Sequence, residues 1–144
     1  MNAIPTFGER REGERYTERR VASAIIGTPE RLAIVGHYDR WFLLGGGLEA
    51  GESEQQALLR EIGEECAFSA FVGPKLGEAI CYLHSEEHGA WMIHSSYFSA
   101  VLGEALGSTP EPDHQLVWVT MPEAEGRLFR ASDAWAVRHF TGNK

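Results

Sequence analysis

The stretch Gly45–Phe68, GGGLEAGESEQQALLREIGEECAF, gathers residue types that could do chemistry together. Gly45, Gly46 and Gly47 can take backbone angles other residues avoid, and let carbonyls and amides come close to a ligand. Gly51 marks a second turn. Ser53 is a good N-cap and Gln56 stands at the reciprocal capping-box position, so a helix is expected from near Glu54. At about 100° per residue, Glu61, Glu64 and Glu65 share one arc of that helix, spaced i, i+3 and i+4. Carboxylates so placed repel, by a few tenths of a kcal/mol per pair in water and more at low dielectric. A divalent cation removes that penalty. Mg²⁺ prefers hard oxygen ligands and keeps several waters, and a glutamate arc beside a glycine loop can supply the oxygens. On its own, Glu-x-x-Glu-Glu more often marks a solvated acidic face. The glycine loop, Glu52, the cap and Arg60 shift the weight towards a metal site.

The elements that must position this segment follow from hydrophobic patterning. Leu58, Leu59, Ile62 and Cys66 form the expected core face of the helix. Val21–Ile26 reads as a buried strand, Thr28–Glu30 as a turn and Leu32–Gly36 as a second strand. Tyr38–Arg40 reads as a hairpin turn, and Trp41–Leu44 as a short strand running into the glycines. Leu76–His84 and Trp91–Leu102 are expected as two longer strands around the polar turn Ser85–Gly89. Gln115–Thr120 is a last strand. Pro122–Leu128 and Ser132–Phe140 read as terminal helices, the second docking through Trp135 and Phe140. The polar, charged segment Pro5–Arg20 reads as a surface strand or a solvated arm. This order predicts an α/β (α+β) fold, a mixed sheet covered by helices, as one domain over residues 1–144.

Composition narrows the functional classes. Thirteen Lys and Arg against 21 Asp and Glu give a formal charge of −8, so a nucleic-acid polymer is not an expected partner. Small phosphorylated compounds remain compatible if cations stand between carboxylates and phosphates. Cys66 and Cys81 form no zinc spacing with the histidines, and two lone thiols fit a reducing cytoplasm. No apolar run approaches a membrane span and Met1–Arg20 lacks the apolar core of a signal peptide, so neither is expected.

The segment from Gly46 to Phe68 resembles the Nudix box, the signature of the Nudix (MutT-type) hydrolases. The pattern is Gly, five residues, Glu, seven residues, then Arg-Glu-apolar-any-Glu-Glu-any-Gly-apolar. Glu52 and Arg60-Glu61-Ile62-Gly63-Glu64-Glu65 fill every charged position. Ala67 is the one departure, replacing the glycine that ends the helix in a left-handed conformation. The resemblance implies an α/β/α sandwich with a mixed sheet between helices. It implies a Mg²⁺ ion, with Mn²⁺ as a substitute, held by Glu61, Glu64, Glu65 and the carbonyl of Gly46. It implies catalytic roles for Glu61 and Glu64, the leading candidates for the base, with Arg60 holding the carboxylates and Glu52 bracing the loop. The implied reaction is water attack at phosphorus in a nucleoside diphosphate linked to a group X. Dimers are common in the family, and the charged N-terminal arm could contribute to one.

Weaker signals surround this core. A further acidic ligand from a later loop could be Glu86, Glu87, Glu111 or Asp113, although a solvated turn is the commoner state of each. His84, His88 and His94 could touch phosphate, and Arg19 or Arg20 could reach it. At most one of Trp41, Tyr82, Trp91 and Tyr97 is expected to stack on a base. Two alternatives stand beside the hydrolase. One is a non-catalytic nucleotide-binding or sensing module on the same fold. The other is a prenyl-diphosphate isomerase, which would need a reactive cysteine where Cys66 faces the core.

Overall fold

The computed structural model describes residues 4–141; the expected domain limits at 1 and 144 lie outside them. Strand β1 (Thr6–Phe7) precedes the long strand β2 (Tyr16–Ile25). Strands β3 (Gly27–Thr28), β4 (Arg31–His37), β5 (Arg40–Phe42) and β6 (Leu44–Gly47) follow in short succession, then helix α1 (Glu54–Cys66). A hairpin of β7 (Phe68–Ser85) and β8 (Gly89–Ala105) leads to β9 (His114–Val119), and α2 (Met121–Arg127) and α3 (Ala131–Thr141) close the described chain.

Two sheets form. The larger is mixed, in the order β1-β7-β8-β2-β6, with β2 parallel to β8 and antiparallel to β6. The smaller is antiparallel, with β4 between β3, β5 and β9. Alternation along β2 supplies both faces of the larger sheet. Ala22 and Ala24 join Leu44, Leu58, Ile62 and Phe98 in the core under α1. Ile25 joins Leu43, Tyr97, Ala136 and Val137 in the core under α2 and α3. Trp135 and Phe140 pack against this second core, as expected of the docking residues of α3. The result is helices on both sides of a mixed sheet. Among the described residues, no helix is long and apolar enough to cross a membrane.

Three expectations need correction. The first concerns β2, which begins at Tyr16 rather than Val21, because exposed Thr17–Arg20 continue the parallel ladder opposite Trp91–His94. Backbone pairing there does not require buried side chains, so hydrophobicity underestimates the strand. Strand β7 likewise begins at Phe68, well before Leu76; its register shifts around Pro74 and Gly77 break the alternation that marks a strand. Finally, Leu59 is not on the core face but 45% exposed, whereas Ala57 and Glu65 are buried. The buried arc of α1 centres on Leu58 and Ile62 and turns towards the glutamates, which pulls Glu65 inside.

The helix ends as its sequence suggests. Ser53 Oγ accepts from Gln56 N and the Gln56 side chain accepts from Ser53 N, completing the capping box. Ala67 adopts φ 58°, ψ 40°, and its N–H donates to Gly63 O. A left-handed Ala carries a steric cost that glycine lacks. Replacing Ala67 with Gly should therefore stabilise the protein by about 0.5–1 kcal/mol, read as a higher urea midpoint at unchanged slope. An unchanged or lower midpoint would show that the strain is absorbed elsewhere.

Candidate active site

The site is assembled where β6 meets α1. Strand β6 pairs with β2 through all three glycines: Gly47 lies opposite Val21, Gly46 opposite Ala22 and Gly45 opposite Ser23. Gly45 has φ 133°, which a side chain would resist. Its N–H donates to Glu65 Oε1 at 3.0 Å. The Glu61 carboxylate packs onto Gly46 so closely that a Cβ there would fall 2.5 Å from Glu61 Oε2. The glycines thus let a backbone strand lie against two carboxylates.

Arg60 ties the acidic groups together. Its Nε donates to Glu52 Oε2 at 2.6 Å and its Nη2 to Glu52 Oε1 at 2.9 Å, a two-pronged pairing. Nη2 also reaches Gly47 O at 3.0 Å, and Nη1 reaches Glu61 Oε2 and Glu64 Oε1, both at 3.1 Å. Glu52 accepts the Glu49 N–H as well. The Arg60 hydrogen bonds, followed by that amide, pull the Glu52 carboxyl down to about 2. The same contacts, Glu52 foremost, raise the Arg60 pKa further. Glu52 therefore braces the glycine turn through Arg60.

Glu61 and Glu65 behave oppositely to Glu52. Burial, set against Arg60 and reinforced by Glu64 and Glu111, raises the Glu61 pKa. Glu65 is 7% exposed, and burial pushes it up to about 9, with Glu61, Glu111 and Glu64 adding like-charge repulsion. Arg60 offsets only part of the burial cost at Glu61, and no cationic side chain offsets it at Glu65, a balance that a bound cation would relieve. Among the described residues no three or more His, Cys, Asp or Glu side chains already converge as a metal cluster, but the carboxylate and carbonyl oxygens gathered here are of the hard type that a divalent ion such as Mg²⁺ prefers. The residues that could hold it are Glu61, Glu64, Glu65 and Gly46, with Glu111 near enough to perturb two of them.

The later acidic candidates separate clearly. Glu111 is anchored to the helix end, its N–H donating to Glu64 O at 2.8 Å. Asp113, at φ 70°, sits next to β9 and acts on His37. Glu86 and Glu87 remain in the β7–β8 turn, Glu87 facing His88 at 3.8 Å. His94 pairs with Glu78 at 2.5 Å, and His84 with the Tyr16 hydroxyl at 2.5 Å. Arg20 binds Glu54 at 3.0 Å, whereas the Arg19 guanidinium lies over Gly47. Cys66 donates to Ile62 O, and burial raises its thiol pKa, so it offers no thiolate to a ligand.

A cavity of about 130 Å³ opens beside Gly46 and Glu65, lined also by His37, His114, Phe42 and Arg130. His37, Phe42 and Arg130 continue into a larger cleft of about 640 Å³ that reaches Arg19, Trp91 and Phe129. Of the four aromatic candidates, only Trp91 lines this cleft; Tyr97 is fully buried, its hydroxyl donating to Asp133. Sequence reasoning passed over Arg130, Phe42 and His37. Arg130 stands alone between two helices, and no spacing pattern could mark it.

Comparison with known proteins gives a consistent picture. The family model described as NUDIX domain matches residues 17–140. An 8-oxo-(d)GTP phosphatase of Mycolicibacterium smegmatis is 30% identical over 103 residues, 72% of this chain and 30% of that protein. A putative 8-oxo-dGTP diphosphatase 2 of Mycobacterium tuberculosis is 35% identical over 89 residues, 58% of this chain and 56% of that protein. The chain thus spans well under two thirds of the length of these relatives. Among solved structures, a NUDIX hydrolase from Nitrosomonas europaea superposes with a TM-score of 0.73 at 17% identity, over 89% of this chain and 91% of that one. This likeness concerns the fold.

Proposed function

We propose, given that this chain belongs to the NUDIX domain family, that it hydrolyses a phosphoric anhydride bond in a small nucleotide-like substrate. The observation that carries this reading is the convergence of Glu52, Glu61 and Glu64 on one guanidinium, with Glu65 buried behind the glycine strand. A merely solvated acidic face would not bury a carboxylate or press one onto Gly46.

In the proposed mechanism Glu61, Glu64, Glu65 and the Gly46 carbonyl hold a divalent cation, Mg²⁺ or Mn²⁺. When bound, it neutralises charge on the phosphate oxygens and lowers the pKa of water. Glu61 or Glu64 takes a proton from the attacking water. The water oxygen bonds to phosphorus, and the bond to the leaving phosphate oxygen breaks in line with it. The products are two phosphate monoesters, or a monophosphate and pyrophosphate. Arg60 keeps Glu61 and Glu64 in register with the loop, and Glu52 keeps Arg60 in place. The substrate is a nucleoside diphosphate linked to X, and the relatives' names make oxidised purine nucleoside triphosphates the first to try.

The test is a hydrolysis screen with Mg²⁺ or Mn²⁺ over nucleoside triphosphates, 8-oxo-dGTP, nucleotide sugars, ADP-ribose and dinucleoside polyphosphates. Turnover of at least one class, abolished by chelator, is the expected result; products from none would count against the reading. Gly46→Ala adds a local check. Its Cβ would collide with Glu61, so turnover should drop by about a hundredfold or more while stability falls by about 1–3 kcal/mol. Full activity in that variant would remove the Gly46–Glu61 contact from the mechanism.

A further inference from the structure

The cleft beyond the glutamates has its own cation. Arg130 lines both the small cavity beside Glu65 and the larger cleft, so it stands at their junction. Its backbone is fixed from two sides. The N–H of Phe129 donates to Trp41 O at 2.9 Å, tying the segment to β5, and Arg130 O accepts from Asp133 N and Ala134 N as α3 begins. Its guanidinium lies over the Phe42 ring, 5.2 Å from the centroid.

The arginine is held but not satisfied. The side chain is 17% exposed, and the buried Nε has no hydrogen-bond partner among the described residues. Its one carboxylate neighbour among the described residues, Asp133 Oδ2, is 3.9 Å from Nη1, too far for a hydrogen bond. Asp133 is itself 1% exposed, and its other oxygen accepts from the Tyr97 hydroxyl at 2.8 Å. Burying a carboxylate and an arginine together without a hydrogen bond between them is costly. Arg60, by contrast, has every nitrogen engaged. A guanidinium with free donors, placed over an aromatic ring, offers the planar fork that recognises phosphate oxygens.

We propose that Arg130 anchors a substrate phosphate at the junction of the glutamate cavity and the cleft, and that Asp133, braced by Tyr97, positions it. The inference rests on the hydrolase reading for what the anion is, because it assigns Arg130 to a phosphate of the same substrate whose anhydride faces the glutamates. Arg130 lines the same small cavity as Glu65 and extends into the larger cleft. It gives a negatively charged protein a point of attraction for a polyanion, and fixes which part of the substrate enters the larger cleft.

The test uses binding, separately from turnover. Methylenediphosphonate, a pyrophosphate analogue that cannot be hydrolysed, is titrated calorimetrically in chelator and again with Mg²⁺. Arg130→Gln should weaken binding about tenfold or more in both conditions, and Arg130→Lys should lie between, keeping charge but losing the fork. Arg127→Gln, whose side chain lies over Trp41 and reaches Glu123, should bind as the parent does. Asp133→Asn should weaken binding less than Arg130→Gln, with no further loss when the two are combined. Tyr97→Phe should act in the same direction and decides the positioning role if Asp133→Asn does not fold. Parent-like affinity in Arg130→Gln, or no binding by the parent protein, overturns the anchor. Parent-like affinity in Tyr97→Phe and in folded Asp133→Asn overturns the positioning role. Because no turnover enters these measurements, an inactive protein with intact Arg130-dependent binding would fail the hydrolase reading alone.

Discussion

Glu61→Gln is expected to lower metal-supported turnover about a thousandfold with the fold intact. The substitution is close to isosteric, and the amide oxygen can still accept from Arg60 Nη1 where Glu61 Oε2 does at 3.1 Å. What disappears is a negative charge pressed against Gly46 and partly desolvated. That charge serves two proposed purposes, holding the cation and taking the proton of the attacking water, so one change should impair both. Circular dichroism and the unfolding midpoint should stay near parent values, since removing a like charge from the Glu61–Glu64–Glu65 arc relieves repulsion. Turnover within a few-fold of the parent would place the chemistry elsewhere.

The second large effect concerns Glu65 and pH. In the folded, metal-free protein its pKa is pushed up to about 9 from 4.5, by burial first and by its acidic neighbours next. A carboxyl whose folded pKa lies above its unfolded value favours folding while it is protonated. Its contribution is complete below about 4.5 and is lost as pH rises towards about 9. The slope is bounded by about 1.4 kcal/mol per pH unit. Glu61 contributes with the same sign, and Glu52 with the opposite sign below its ordinary range. Without divalent ions, thermal stability should therefore fall between pH 5 and pH 8.5, the window set by Glu65. Glu65→Gln should flatten that fall and raise the metal-free Tm at pH 8 by about 5 °C. It should also forfeit most of the stabilisation the parent gains from added Mg²⁺, a gain that follows mass action. An unaltered pH profile in Glu65→Gln would show that the buried carboxyl does not govern metal-free stability.

Much of this was legible in the chain because it is local. The capping box, the helix span and the glutamate arc depend on residues within one or two turns of each other, and Ser53, Gln56 and Glu61–Glu65 lie where their spacing puts them. Ala67 in the left-handed region follows from the same local logic. What escaped is set by tertiary packing. Leu59 faces outward because the sheet meets α1 over Ala57, Leu58 and Ile62, and a wheel alone does not tell which edge of an apolar arc the sheet covers. The exposed start of β2 and the bulged start of β7 are strands by pairing with β8, which hydrophobic period does not record. Four later acids competed as partners of the glutamates, and only the fold brings Glu111 to the end of α1. Arg130 is the extreme case, since its place depends on Trp41 and Phe42 of β5, distant in sequence, and on Asp133 of α3.

In the proposed mechanism Glu61, Glu64 and Glu65 hold a divalent cation beside the glycine strand. Calorimetric titration of the chelator-treated protein with Mn²⁺ and Mg²⁺, repeated with Glu65→Gln, reads that binding without any turnover. Saturable binding by the parent is expected, with protons released at pH 8 as Glu65, pushed up to about 9, ionises, and with a large loss of affinity in the variant. No binding by the parent at millimolar metal, with or without methylenediphosphonate present, would contradict it.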